Sequence, residues 1–203
     1  MSARTIGLLS GGLVFLSIVP YAIRTYQGKI RPVPTSWSLW SLIGLAILLT
    51  YRSSGAQANV WPAVFGFTNP TLITILGVWR HGKWKKPNFP ERLCFLFGIV
   101  SLAMWLFVRQ NRELAQYALC IAIAADLCAA VPTIIFVWAE PDGDRPFAWV
   151  VFAIGYFIAV FAIQQNTLAN WVLPLYMTAV ALAVALPLAL YRFRQGVPLK
   201  EWA

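Results

Sequence analysis

Apolar positions gather into seven runs along the chain: Thr5–Ile23, Ser36–Tyr51, Gln57–Trp79, Arg92–Val108, Leu114–Trp138, Phe147–Gln164 and Leu168–Tyr191. A helix crosses a bilayer with about 17–25 predominantly apolar residues. Each run therefore predicts a transmembrane helix, and the second is short enough to borrow a turn from its flanks. Polar and charged positions are confined to short connections. That predicts consecutive helices packed as antiparallel neighbours and leaves no stretch for a soluble domain. The first run starts just after Arg4 and imitates a signal peptide, but it lacks an Ala-x-Ala cleavage site and ends in Pro20-Tyr21-Ala22-Ile23. It is expected to remain as a mature helix.

Composition agrees. Of 203 residues 60 % are hydrophobic and 11 % charged, against roughly a quarter charged in soluble domains, and the mean hydropathy is +0.68. Trp, present ten times, suits membrane–water interfaces, and Trp61 and Trp171 are expected there. The basic residues divide unevenly between the two sets of loops. Arg24, Lys29, Arg31, Arg80, Lys83, Lys85, Lys86, Arg92, Arg145, Arg192, Arg194 and Lys200 fall on one side, and Arg4, Arg52, Arg109 and Arg112 on the other. The positive-inside rule puts the richer side in the cytoplasm. The expected product is an integral protein of the plasma or inner membrane, amino terminus outside and carboxy terminus cytoplasmic. Its net charge of +9 then faces anionic lipid. Nucleic acid is excluded as a partner because no domain is left to read a groove. A homo-oligomer is left open.

Enzyme chemistry has no foothold. There is no Gly-rich phosphate loop, no nucleophile elbow and no His-based metal cluster. The only histidine, His81, sits in the basic loop, and Cys94, Cys120 and Cys128 lie in apolar runs without ligand spacing. They read as buried free thiols. No cofactor and no metal is expected, and two carboxylates in Asp142-Gly143-Asp144 are too few for a cation site.

An internal repeat sharpens the architecture. Val131-Pro132 follows Val19-Pro20, Trp149 follows Trp37, and Pro174 follows Pro62, each by 112 positions without a gap. Each pair holds the same relative place in a triplet of helices. Three is an odd number, so a second triplet joined directly would be inverted; the fourth run carries the chain back and makes the repeats parallel. The expected fold is all-α and integral to the membrane, with seven helices as two parallel three-helix bundles joined by a linker helix (3+1+3). The expected divisions are 1–80, a linker helix with its basic loop at 81–111, and 112–203.

The candidate chemistry lies along the first helix of each triplet. Ser10, Val14, Ser17 and Tyr21 share one face at helical spacing, and the repeat maps them onto Ala122, Asp126, Ala129 and Thr133. Asp126 is the one acid inside a predicted span. At a bilayer centre an acid costs about 2.5–3.5 kcal/mol on insertion scales, so it is expected to face protein or water. Two readings stand: a structural acid bonded to a neighbouring helix, or a group that binds solute or carries a proton. Thr68-Asn69-Pro70 also has two readings, repair of the ladder that the proline breaks or an amide offered to a solute. Tyr176 and Thr178 are the polar candidates in the last run. Pro20, Pro132, Pro62 and Pro174 are candidate hinges. Arg24, Lys29 and Arg31 in one cytoplasmic loop and Glu140, Asp142 and Asp144 in another make a candidate inner latch, set against solvated turn charges worth under about 1 kcal/mol per pair.

Pro20 with Arg24-Thr25-Tyr26-Gln27-Gly28-Lys29, Pro132-Thr133, and Pro62-Ala63-Val64-Phe65-Gly66-Phe67 give the chain a resemblance to the PQ-loop and SWEET superfamily of small membrane transporters. The resemblance spans nearly the whole chain through helix count, repeat type and proline placement. It implies a seven-helix alternating-access facilitator with hinge prolines. The chain departs from that pattern where the name-giving glutamine is replaced by Tyr21 and Thr133. The sugar-gripping asparagines are replaced by Ala63 and Leu175, the tryptophans by Ile47 and Ala159, and the second and sixth runs contain no proline. No sugar-site residue carries over.

The functional expectation is a transporter or facilitator of a small polar solute that rocks two bundles against each other. The rival is a receptor or sorting protein on the same scaffold that binds without net flux. An intramembrane enzyme is a weaker third.

Overall fold

The computed structural model describes residues 1–81 and 84–202; Gly82, Lys83 and Ala203, with the side chains of His81 and Lys200, lie outside the described residues. The chain is all-helical: α1 Ala3–Tyr26, α2 Pro34–Ser53, α3 Trp61–His81, α4 Phe89–Val108, α5 Arg112–Ala139, α6 Pro146–Ala159 and α7 Leu168–Arg194, with 3₁₀ turns at Ala58–Val60, Val160–Ala162 and Leu199–Glu201.

Helix starts follow local chemistry. Ser2, Asn111 and Thr167 cap α1, α5 and α7 through their side-chain oxygens. Asn88 and Glu91 form a reciprocal capping box on α4, which satisfies two donors the first turn leaves free. At the other ends of α1 and α2 stand Gly28 and Gly55, with φ of 72° and 101°, a backbone region that favours glycine.

The seven expected helices are all present. Five are long and apolar enough to cross a bilayer: α1, α3 with its leading turn, α4, α5 and α7. The two others fall short for different reasons. α2 has 20 residues but spends positions on Thr35, Ser36, Ser38, Ser41, Thr50 and Arg52. α6 stops at Ala159 and runs on as a single 3₁₀ turn to Ala162, just short of the expected end at Gln164. The chain accordingly carries the mark of an integral membrane protein.

The helices pack as a circuit of neighbours. α1 lies on α3, α3 on α2, α2 on α5, α5 on α7, α7 on α6, and α6 on α1. α4 stands outside this circuit, against α2 and α5. The inner faces meet in one apolar core that includes Val14, Ile43, Ile47, Leu119, Ala122, Tyr156 and Leu173. Much of it is alanine, as expected where lipid gives apolar residues no reason to leave it and association rests on close packing. Gly155 of α6 meets α1 so closely that an added Cβ would lie 2.7 Å from Val14 Cγ2 and 3.0 Å from the Ser10 carbonyl. Gly44 of α2 meets the Gly66 carbonyl of α3 at 2.7 Å on the same measure. Outward faces are the reverse, with Leu8, Phe15, Ile75, Ile99, Phe107 and Ile135 exposed. In water such a belt would be an aggregation hazard; in a bilayer it is the lipid contact.

Candidate functional site

The two faces expected to turn inward do so. Ser10, Val14 and Ser17 are buried on α1, with Tyr21 half-buried below them; on α5, Ala122 and Asp126 are buried, and Ala129 and Thr133 half-buried. Asp126 is 6 % exposed. Its Oδ2 accepts a hydrogen bond of 2.7 Å from the Tyr176 hydroxyl of α7. α1 is tied to α3 at the corresponding level: the Asn69 amide donates 2.8 Å to the Val14 carbonyl, and Ser17 Oγ donates to the same oxygen at 2.7 Å. Positions 14 and 126 stand 112 residues apart in the chain. At the first, α1 is bonded to α3 through a main-chain oxygen, and at the second, α5 is bonded to α7 through a carboxylate.

Other candidates separate. Thr68 is exposed on the outer face of α3 and has no part in this cluster. Asn69, 5 % exposed, neither repairs its own helix nor stands open, because α1 holds its amide. Thr178 donates back to the Pro174 carbonyl at 2.7 Å, a local bond within α7. Pro20, Pro132 and Pro174 are interior to their helices. Pro62 differs from a hinge: it is the second residue of α3, where a helix has no ladder bond to lose. The mid-helix proline of α3 is Pro70. Cys94 is buried as expected, whereas Cys120 and Cys128 are exposed on the outer surface.

The two ends of the circuit differ. At the end where α2 leads to α3 and α6 to α7, amide side chains stitch the connections. Asn59 Nδ2 donates to Asn170 Oδ1 at 3.0 Å and also to the Tyr51 hydroxyl. Asn170 Nδ2 donates 2.8 Å to the Gln165 carbonyl, and Ala58 N donates 3.3 Å to Gln164 Oε1. Asn59, Asn170 and Tyr51 are buried. Gly7 closes against the same turn, where an added Cβ would lie 1.9 Å from the Ala58 carbonyl oxygen. Reasoning from the sequence missed this cluster. A signal exists: Ala58-Asn59 recurs as Ala169-Asn170 at a spacing of 111, one residue short of the ungapped repeat.

The opposite end is open and charged. A cavity of about 290 Å³ is lined by Tyr21, Arg24, Asp142, Asp144, Arg145 and Arg192, among others. A second, of about 390 Å³, shares Pro20, Arg24 and Arg145 with it and adds Lys29. Four of the six latch candidates therefore line this end; Arg31 and Glu140 are exposed elsewhere on the surface. Asp144 is committed: its Oδ1 accepts from Arg145 N at 2.7 Å, its Oδ2 from Trp149 Nε1 at 3.1 Å, and its carbonyl from Arg192 Nη2 at 3.1 Å. Burial lowers the Arg145 guanidinium from its ordinary range, and the Arg24 and Arg192 charges push the same way.

No protein family matches the chain, and no curated protein and no solved structure matches it.

Proposed function

We propose that the chain is a membrane transporter of a small polar solute that works by alternating access, with the Asn59–Asn170 end closed and the Arg24–Arg192 end open. The observation that carries the reading is the contrast between those ends, an amide seal on one side of a buried acid and a charged cavity on the other. Asp126 with Tyr176 is the polar station between them, and it binds solute or carries a proton.

The proposed architecture is two like-oriented triplets, α1–α3 and α5–α7, with α4 as the linker. The neighbour pattern supports it. Exchanging α1, α2 and α3 for α5, α6 and α7 turns α1–α3 into α5–α7, α2–α3 into α6–α7, and α1–α6 into α5–α2, all of which are packed pairs. The seam between triplets would then run along α1–α6 and α2–α5. The peripheral place of α4 suits a linker, and the PQ-loop and SWEET superfamily remains the scaffold that the sequence resembles. The basic end is assigned to the cytoplasm by the positive-inside rule, so the open cavity faces inward and the amide seal outward.

Reconstitution tests the reading. Proteoliposomes are assayed for uptake of sugars, amino acids and organic cations, with and without a pH gradient, for the natural chain and Asp126→Asn. Saturable net flux that Asp126→Asn abolishes or uncouples from the gradient is the expected result. Saturable binding without flux would make the protein a receptor. Flux untouched by Asp126→Asn would remove that residue from the mechanism.

A further inference from the structure

The sequence stops α7 and then turns the chain back. Gly196 takes a φ of 64°, its N–H donates 3.1 Å to the Phe193 carbonyl, and Val197 N donates 3.0 Å to the Arg192 carbonyl. This pair of bonds closes a helix end, and Pro198 behind it keeps the helix from resuming. The 3₁₀ turn Leu199–Glu201 follows. Trp202 then ties the segment to itself, its main-chain N donating 3.1 Å to the Leu199 carbonyl and its Nε1 donating 3.1 Å to the Val197 carbonyl.

The far end of this segment is docked on α6. The first turn of a helix leaves main-chain donors without helical partners, and Arg145, at the N-cap of α6, does not cap that turn through its side chain. Phe147 N donates instead to the Trp202 carbonyl at 3.2 Å. The Glu201 charge, close by, favours the ionised form of Arg145. Trp202 is half-buried and lines the inner cavity together with Pro20 and Tyr21 of α1 and Phe147 and Ala148 of α6. Leu199, by contrast, is 76 % exposed. A net hydrogen bond contributes modestly, so a segment docked by one main-chain bond and half an indole belongs to the parts of a fold that open first.

We propose that residues 197–202 form a strap whose Trp202 ring props the inner mouth open, so that the mouth shuts only after the strap has left α6. Shutting it draws Pro20 and Tyr21 toward Phe147 and Ala148. Trp202, pinned to that same turn of α6, stands in the space that has to vanish. The docked strap is thus an autoinhibitory contact that favours the inward-open state, and its release shifts the population toward the outward-open one. The proposal deepens the transport reading and rests on it for the motion.

The test reads the opposite end of the molecule, where a merely local role of Trp202 would change nothing. Ser10→Cys, in the outer half of α1, is labelled in intact cells by an impermeant maleimide, with Cys120 and Cys128 replaced by alanine. Trp202→Ala is expected to raise the labelling rate about fivefold. Trp202→Phe, which keeps a ring in the mouth, should label at close to the natural rate, and Leu199→Ala at the natural rate. Val197→Pro, which removes the N–H that closes the helix end, should act in the direction of Trp202→Ala and guards against that variant failing to fold. Labelling that Trp202→Ala leaves unchanged overturns the proposal, and so does an effect that Leu199→Ala reproduces. Uptake by the same variants separates the two readings. Flux with labelling indifferent to Trp202 keeps the transporter and removes the strap; labelling that follows Trp202 without any flux keeps the strap and removes the transporter.

Discussion

Gly7→Ala puts the proposed closure to a quantitative test. The added methyl would sit 1.9 Å from the Ala58 oxygen and 2.7 Å from its carbonyl carbon. Carbon–oxygen contacts of this kind ordinarily settle at about 3.3–3.6 Å, so α1 and the 58–60 turn must part by about 1.4 Å. Neither atom belongs to a side chain that could rotate away. Overpacking of this sort costs about 1–3 kcal/mol. If the contact exists only when the outer end is shut, the whole cost falls on the shut state and shifts its ratio to the open one by about 5–150-fold. Gly12→Ala is the matched control on the same helix, because nothing lies within 4 Å of a Cβ there. The assay is labelling of a Ser10→Cys probe by an impermeant maleimide added outside, with Cys120 and Cys128 replaced by alanine; Ser10 is fully buried. Faster labelling is expected for Gly7→Ala and not for Gly12→Ala, with loss of thermal stability also confined to Gly7→Ala. Lost stability with unchanged labelling would mean a static contact, and the closure reasoning would fall.

Other expectations follow from the same contacts. A double-mutant cycle of Tyr176→Phe with Asp126→Ala, read by reversible unfolding in bicelles, should return a coupling of about 0.6 kcal/mol and no more than about 1.7; zero coupling would deny the bond. Asn59→Ala and Asn170→Ala should each raise outside labelling of the same probe, and the double variant should fall short of the sum of the two, because the bond between them is lost only once while the Asn59–Tyr51 and Asn170–Gln165 bonds are lost separately. Pro174→Ala should change uptake kinetics while Pro62→Ala leaves them near those of the natural chain; equal effects would contradict the difference between an interior and an initial proline. Arg24→Glu paired with Asp142→Arg should restore uptake lost in the single variants, whereas Arg31→Glu paired with Glu140→Arg should show no such rescue.

The helices were legible in the sequence because lipid punishes polar main chain so severely that each span announces itself as an apolar run. The inward faces were legible too, since Ser10, Ser17 and Asp126 are out of place anywhere else in such runs. The failures have physical causes of their own. Thr68 and Asn69 are neighbours in sequence, but a helix turns about 100° between them, and only packing decides which one meets α1. Gln164 extends an apolar stretch by composition, while α6 ends earlier because its last turn tightens. Asn59 and Asn170 stand near the starts of the runs Gln57–Trp79 and Leu168–Tyr191, and nothing in either run shows that they meet, because that pairing is set by which helices touch across the circuit. The same holds for Gly7, Gly44 and Gly155, whose closeness to foreign backbone is a property of two helices at once.

Pro70 has an effect that reaches past its own helix. It has no N–H, so the Gly66 carbonyl one turn back lacks its ladder donor, while the Ala58 carbonyl lies just ahead of α3, in the 3₁₀ turn that leads into it. Those are the two oxygens on which Gly7 of α1 and Gly44 of α2 close. Both neighbours of α3 are thus indexed along its length by main-chain atoms, at points where no rotamer can move the contact. A rod held at one such notch can swing about it, but sliding by a turn would lose the fit. Lateral tilting is left as the cheap motion of the assembly and axial ratcheting as the forbidden one.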